Sequence, residues 1–336
     1  MLDEPTLLGA VVLGALILYL LFGGADFGGG VWHLLATGPR AGRQRALVAQ
    51  AIAPIWEANH VWLILVVVIL FTGFPPAFAA FTTRLHAPLL ALLLAIVARG
   101  AAFAFRSASG DRARERRGWS AVFIAGSLAA PVLLGMIVAA VASGDVGTDG
   151  APLALSWRGP WLTPFALAAG PFALALCAFL AAVYLTVEAE GASDRPLADD
   201  FRLRAVAAGV LCGALALLTF LLSADSAPRL HAGLSVRRWS WPLHLLTGLA
   251  AFGALVAIVG RRSRLARGLA AAQVALVVLG WGVSQYPYLM PPYLTLRSAS
   301  APPETQTLLL IALGAGALVL FPSLRLLFRV FKARPR

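Results

Sequence analysis

Charge is what this sequence has least of. Only 12% of its 336 residues are Asp, Glu, Lys or Arg, about half the share found in a typical soluble domain. With 60% hydrophobic residues and a mean hydropathy of +0.83, that scarcity excludes a water-soluble globular fold and indicates an integral membrane protein. Lysine is nearly missing: Lys332 is the single lysine among 27 basic residues, a bias to which we attach no mechanism. Acids are few as well, 15 in all, leaving a net charge of +12. Nucleic acid is nevertheless excluded as a partner, because most basic residues fall in short loops between apolar segments, where they orient helices against an anionic leaflet. The two cysteines, Cys177 and Cys212, lie inside apolar segments without CxxC or metal spacing, so they read as small packing residues. A basic region before the first apolar run is also lacking. The opening MLDEPT carries Asp3 and Glu4, which predicts a retained span and not a cleaved leader.

A membrane-spanning helix needs roughly 20 apolar residues. That rule predicts nine spans, at about 6–27, 50–73, 77–105, 119–142, 163–187, 204–223, 241–260, 266–286 and 306–330. With the N-terminus outside, 20 of the 27 basic residues fall on one side: Arg40 to Arg45, Arg106 to Arg117, Arg195 to Arg204, Arg261 to Arg267 and the tail from Arg325. That side is expected to be cytoplasmic, as is the C-terminus. The outer side keeps the GDVGTDG loop, residues 223–240 and a Pro-rich loop near Pro291, none long enough for a separate domain. Spans one to four and five to eight share an orientation, and the leading member of each set ends in acid, Asp26 in one and Glu188 with Glu190 in the other. The expected fold is therefore all-α, with two four-helix bundles, 1–142 and 143–303, and a ninth helix with a basic tail over 304–336.

Within these spans the stretch from Gly23 to Trp62 stands out. An ionised carboxylate in hydrocarbon costs several kcal/mol, about 2.5–3.5 by insertion scales, so Asp26 and Glu57 are expected to face a protein interior and find partners there. Gly23, Gly24, Gly28, Gly29 and Gly30 surround Asp26 and allow a neighbouring backbone to come close. Trp56, Asn59 and His60 follow one helical face, and Glu57 lies within reach of His60 three residues on. A short basic loop brings Asp26 and Glu57 to similar depth, and two carboxylates in low dielectric hold a proton between them, as a proton relay requires. A polar clip joining two helices is the structural alternative. Glu57-x-x-His60 is half of a di-iron motif, but the chain has no second copy, so a dinuclear metal site is rejected. Residue type alone leaves heme ligation open for His33, His60, His86, His231 and His244. Four of these, His33, His86, His231 and His244, read more simply as interfacial or surface groups. Arg99, near the inner end of span three, is expected to snorkel to the headgroups unless an acid is close. Gln285 and Tyr286, beside a proline turn, could hold a polar headgroup.

Taken together, Asp26-Phe27-Gly28-Gly29-Gly30, Trp56-Glu57-x-Asn59-x-x-Trp62, Phe74-Pro75-Pro76, Arg99-Gly100-x-x-Phe103-x-Phe105-Arg106, Gln285-Tyr286-Pro287-Tyr288 and Ala301-Pro302 make the whole chain resemble subunit II of the cytochrome bd-type terminal oxidases. The resemblance implies a complex in a bacterial cytoplasmic (inner) membrane, in which a partner, subunit I, carries heme b and heme d, oxidises quinol and reduces oxygen to water. Subunit II is implied to stabilise that partner and to conduct cytoplasmic protons through Asp26, Trp56 and Glu57. A structural quinone near Gln285 and Tyr286, a small accessory subunit and bound lipid belong to the same expectation. Two departures matter. Ala104 stands where many relatives carry an acid, and His60 where they carry an acid or amide, so His60 with Glu57 is expected to substitute in part for the missing group. The competing readings are a secondary transporter with a buried carboxylate site and a purely structural subunit.

Overall fold

The structure is a computed structural model that describes residues 3–52, 56–108, 113–144, 146 and 159–332. The side chains of residues 52, 56–58, 107, 113, 328 and 331–332 lie outside the description, as does most of the GDVGTDG loop. Apolar runs become helices because a span must satisfy every backbone N–H and C=O within itself. They are α1 (Glu4–Leu34), α2 (Ala41–Ile52), α3 (Trp56–Gly73), α4 (Pro75–Arg84), α5 (His86–Ala108) and α6 (Ala113–Ser143). After residues 144–163 follow α7 (Pro164–Gly191), α8 (Arg195–Ser226), α9 (Pro228–Ser235), α10 (Ser240–Val259), α11 (Ser263–Gln285) and α12 (Pro303–Lys332). Helix starts are marked by proline in the first turn and by side-chain caps: Thr163 Oγ1 accepts from Ala166 N at 3.2 Å, and Asp194 Oδ1 from Leu197 N at 3.2 Å. A small hairpin, β1 (Tyr288–Met290) with β2 (Leu294–Thr295), closes the loop before α12.

Eight helices among the described residues are long and apolar enough to cross a membrane, and α3 with α4 makes a ninth if that bent pair is counted as one span. Three sequence expectations are corrected here. The span expected over 77–105 is two elements: the chain bends by 118° between α3 and α4, where Pro75 and Pro76 follow Phe74, and a straight helix resumes only at His86. The loop between the first two spans contains a helix, α2, which tucks Leu47 and Val48 into the core. The outer segment 223–240 contains another, α9. A rule tuned to runs of about 20 apolar residues is blind to 8- to 12-residue helices.

Helix α7 is the axis of the molecule, with 72% of its apolar window buried, whereas α12 has none. It packs against α1, α6, α8 and α11. Contact with α1 is close because Gly28 faces the α7 backbone: a Cβ there would stand 2.0 Å from Cys177 O. One step along, the Trp32 indole donates to Ala178 O at 2.8 Å. Gly30 does the same for α6, where a Cβ would meet Ser127 Cβ at 2.2 Å. These close approaches aim the polar face of α1 at α3, α5 and α6.

At the basic end, Arg40 grips Asp200 with two donors at 2.8 and 2.6 Å, Gln44 joins at 2.9 Å, and Arg204 reaches Gln44 Oε1 at 2.8 Å. At the other end Arg297 pairs with Asp3 at 2.6 Å, and Thr307 donates to Glu4 at 2.7 Å, tying α12 to the start of α1.

Candidate functional site

The site forms where α1, α3, α5 and α6 meet. Arg99, 1% exposed, comes from α5 and donates Nη2 to Asp26 Oδ1 at 2.6 Å; Asp26 is 5% exposed. The same nitrogen is 3.4 Å from Asp26 O, and Arg99 Nε donates to Ser127 Oγ of α6 at 3.0 Å. Its guanidinium lies between two rings, 5.0 Å from the Phe27 centroid and 5.2 Å from that of Phe123. The pairing is made possible by Gly126, where a Cβ would stand 2.6 Å from Ala95 O, so α5 and α6 lie nearly backbone to backbone. Arg99 therefore does not snorkel, and the expectation from its place near a span end is corrected. An acid is at hand, and two opposite charges compensate each other at less cost than one charge reaching for water through a packed interior.

The other carboxylate of the expected pair, Glu57, and Trp56 open α3, but their side chains lie outside the described residues. Asn59 is buried and its amide points to Phe22 O at 3.4 Å. The imidazole of His60 lies against α1 near Tyr19 and Phe27, with ring centroids 6.0 and 6.3 Å away. Asp26 and Arg99 act electrostatically on both His60 and Tyr19. Three polar atoms here are buried without a partner among the described residues: Asp26 Oδ2, His60 Nδ1 and the Tyr19 hydroxyl. Buried polar groups normally find partners, and three orphans around one charged pair describe a place for water. Tyr19 escaped the sequence reading, since one tyrosine in an apolar run gives no signal. Ser127 escaped it for the same reason.

Depth along α1 separates His60 from the acid it was expected to replace. Arg99 meets α1 at Asp26, and Arg106 meets it at His33, so Ala104 stands near the level of residue 31. His60 stands near residue 23, about 12 Å further from the basic end at 1.5 Å per residue. It therefore extends the polar site beyond Asp26 and does not fill the position of Ala104, whose side chain is exposed.

The remaining sequence candidates are dispersed. Gln285 is buried, with Oε1 unpartnered one turn beyond an equally unpartnered Trp281 Nε1, while Tyr286 is 51% exposed. His86 Nδ1 faces Thr83 O at 3.0 Å, His231 stacks on Phe220 at 4.6 Å with Nδ1 3.1 Å from Ser223 Oγ, and His244 Nε2 is 2.8 Å from Leu234 O. His33 Nε2 is held by Arg106 at 3.0 Å. Each of these four histidines has one ring nitrogen held within the chain. Among the described residues no three His, Cys, Asp or Glu side chains converge.

Fold and site define a class: a multi-pass α-helical membrane protein with a charge-compensated polar site inside its bundle. Comparison with known proteins gives the family. The model of the cytochrome bd terminal oxidase subunit II family matches residues 5–331, and the chain belongs to that family. It is 34% identical over 94 residues to the cytochrome bd ubiquinol oxidase subunit 2 of Bacillus subtilis (strain 168), 28% of each chain. It is 26% identical over 220 residues to the cytochrome bd-I ubiquinol oxidase subunit 2 of Escherichia coli (strain K12), 65% of this chain and 54% of that one. A chain of the bd oxidase from Geobacillus thermodenitrificans superposes with a TM-score of 0.77 over 99% of both chains at 23% identity, which establishes the shared fold. The protein is thus a subunit of an oxidoreductase complex.

Proposed function

We propose that this chain pairs with a subunit I carrying heme b and heme d, in a bacterial cytoplasmic membrane, and that it carries protons from the cytoplasm toward the site where that partner reduces oxygen with electrons from quinol. The observation that supports this reading is the buried Asp26–Arg99 pair, in which Asp26 Oδ2, like the nearby His60 Nδ1 and Tyr19 hydroxyl, has no partner among the described residues. A pair serving only as a helix clip gives no reason for the Tyr19 hydroxyl, His60 Nδ1 and the second Asp26 oxygen to lack partners among the described residues. In this arrangement the basic end faces the cytoplasm, Asp26 is the proton-holding group, Arg99 fixes its orientation, and His60 with the Tyr19 hydroxyl receives the proton beyond it. Trp56 and Glu57 are proposed members of the path. The two four-helix units, 1–142 and 143–303, are the proposed scaffold, with the remainder of the chain as a ninth helix and tail. A quinone carbonyl would find a donor in Trp281 Nε1 beside Gln285, in a stabilising role.

The test is isolation of the chain from its native membrane in mild detergent. A d-type heme band in the reduced-minus-oxidised spectrum, with a larger heme-bearing chain and quinol-dependent oxygen uptake, is expected. A colourless preparation without that partner rejects the reading and leaves the transporter. For His60 the expected result of His60→Ala is a turnover loss of about tenfold or more, in line with a missing proton-transfer group, with heme content intact. Unchanged oxygen uptake at every pH removes His60 from the path.

A further inference from the structure

Helix α1 carries three buried polar atoms without a partner among the described residues, Tyr19 OH, Asp26 Oδ2 and His33 Nδ1, at intervals of seven residues on one face. Two belong to the site described above. The third, His33, lies in the last turn of α1 at the basic end and has no part in the relay so far.

Its surroundings determine its protonation pattern. From α5, Arg106 places Nη1 3.0 Å from His33 Nε2. A guanidinium can only donate, so Nε2 accepts and the proton of the neutral ring is on Nδ1, the buried atom that lacks a partner. From α6, Phe123 packs against the imidazole at 6.0 Å and lies under the Arg106 guanidinium at 5.2 Å. From α2, Arg45 donates to His33 O at 3.5 Å and to Ala36 O at 3.0 Å. Among the described residues the charged groups whose hydrogen bonds reach His33 are Arg106 and Arg45, both positive. On the inward side of Phe123 lies Arg99, 5.2 Å from its centroid, bonded to Ser127 and Asp26. Gly30, midway between Asp26 and His33, abuts Ser127. Arg106 and His33 thus lie about 10 Å along the helix from Asp26, with Ser127 and the Phe123 ring between the two levels.

We infer that His33 takes up protons at the basic end for the relay through Asp26, with Arg106 as the gate. When Arg106 swings aside, Nε2 accepts a proton from water and Nδ1 releases its own toward Ser127 and Asp26. One N–H bond forms as another breaks, and the ring ends neutral in its other tautomer; turning Nδ1 outward lets water give Nδ1 a proton and take the one on Nε2, and turning back restores the start. This group stands at the level of Ala104, where the side chain present cannot carry a proton. The inference rests on the relay reading of Asp26.

The test uses the intact complex in sealed vesicles with the basic end outward, following quinol-driven oxygen consumption and proton uptake against pH. His33→Ala is expected to lower turnover about tenfold at alkaline pH, where proton supply limits the rate, with heme content unchanged. Added imidazole is expected to restore turnover, and the pH profile of the rescued rate is expected to follow the basicity of the added base when 4-methylimidazole replaces it; a merely structural filling of the space does not shift that profile. Should His33→Ala fail to assemble, His33→Phe, which keeps a ring against Phe123, decides the matter. A parental pH profile in His33→Phe overturns the inference, as does loss in His33→Ala that no added base restores. Asp26→Asn in the same assay separates the two levels. If it abolishes turnover while His33→Phe does not, only the role of His33 falls. If Asp26→Asn is silent, the relay itself falls.

Discussion

Replacing Asp26 alone with leucine is expected to destabilise the protein by about 3–5 kcal/mol, because it strands the Arg99 guanidinium in a packed interior. Arg99 is 1% exposed and its position is held by Ser127, Phe27 and Phe123, so it has no short route to water. Arg99→Leu strands the Asp26 carboxylate in the same way. Changing both to leucine removes the charge and its counter-charge together, and the double variant is expected to return to within about 1 kcal/mol of the parent or to exceed it, as apolar replacements of buried pairs do. Thermal unfolding of the three purified variants, read as a double-mutant cycle, measures the coupling. Oxygen consumption decides the function. The double variant is expected to fold and to be inactive, which stability alone cannot explain. A folded, heme-replete double variant with parental turnover would show that the pair is structural and would reject the proton role.

The second large effect is expected at Gly28. A methyl group there stands 2.0 Å from Cys177 O, 2.5 Å from Cys177 C and 2.7 Å from Ala181 Cβ. The first two obstacles are backbone, which cannot rotate away as a side chain can. Gly28→Ala must push α1 off α7, straining the Trp32 to Ala178 hydrogen bond one turn on. Overpacking of this kind typically costs about 1–3 kcal/mol, and with a helix backbone as the wall the upper end is expected, with loss of assembled protein from the membrane. Gly14→Ala, in the same helix with nothing within 4 Å of the new Cβ, is the control. It is expected to be neutral or to stabilise by roughly 0.5–1 kcal/mol through helix propensity. Equal accumulation of the two variants in the membrane would mean that the α1–α7 contact is not as close as the geometry states.

Asp26 was legible in the sequence because an acid in an apolar run is expensive and must be compensated. Its partner was not. Arg99 sits near the end of its own span, where an arginine by itself is best served by stretching toward the headgroups, and nothing local says that α5 will lie against α1 in the register that meets Asp26. That register comes from Gly126 and Gly30, which let α5, α6 and α1 close to backbone distance. His60 is a similar case. Its spacing from Glu57 and Asn59 is a property of one helix, but its level relative to Ala104 depends on how two helices slide past each other. The short helices α2 and α9 went unread because each is too short and too polar to register as a span.

By itself the sequence determined the membrane class, the number and rough limits of the apolar helices, and the helix face on which the costly acid lies. Hydrocarbon imposes those at the level of each segment: a run long and apolar enough must be a helix, and a charge within it must face inward. Tertiary structure alone decided which cation answers Asp26, which polar atoms stay unbonded around it, and that His33 shares a level with Arg106. Those depend on the relative rotation and sliding of neighbouring helices, which in an apolar solvent are set by close packing of small residues and by pairing of buried polar groups. Neither is a property of any one segment.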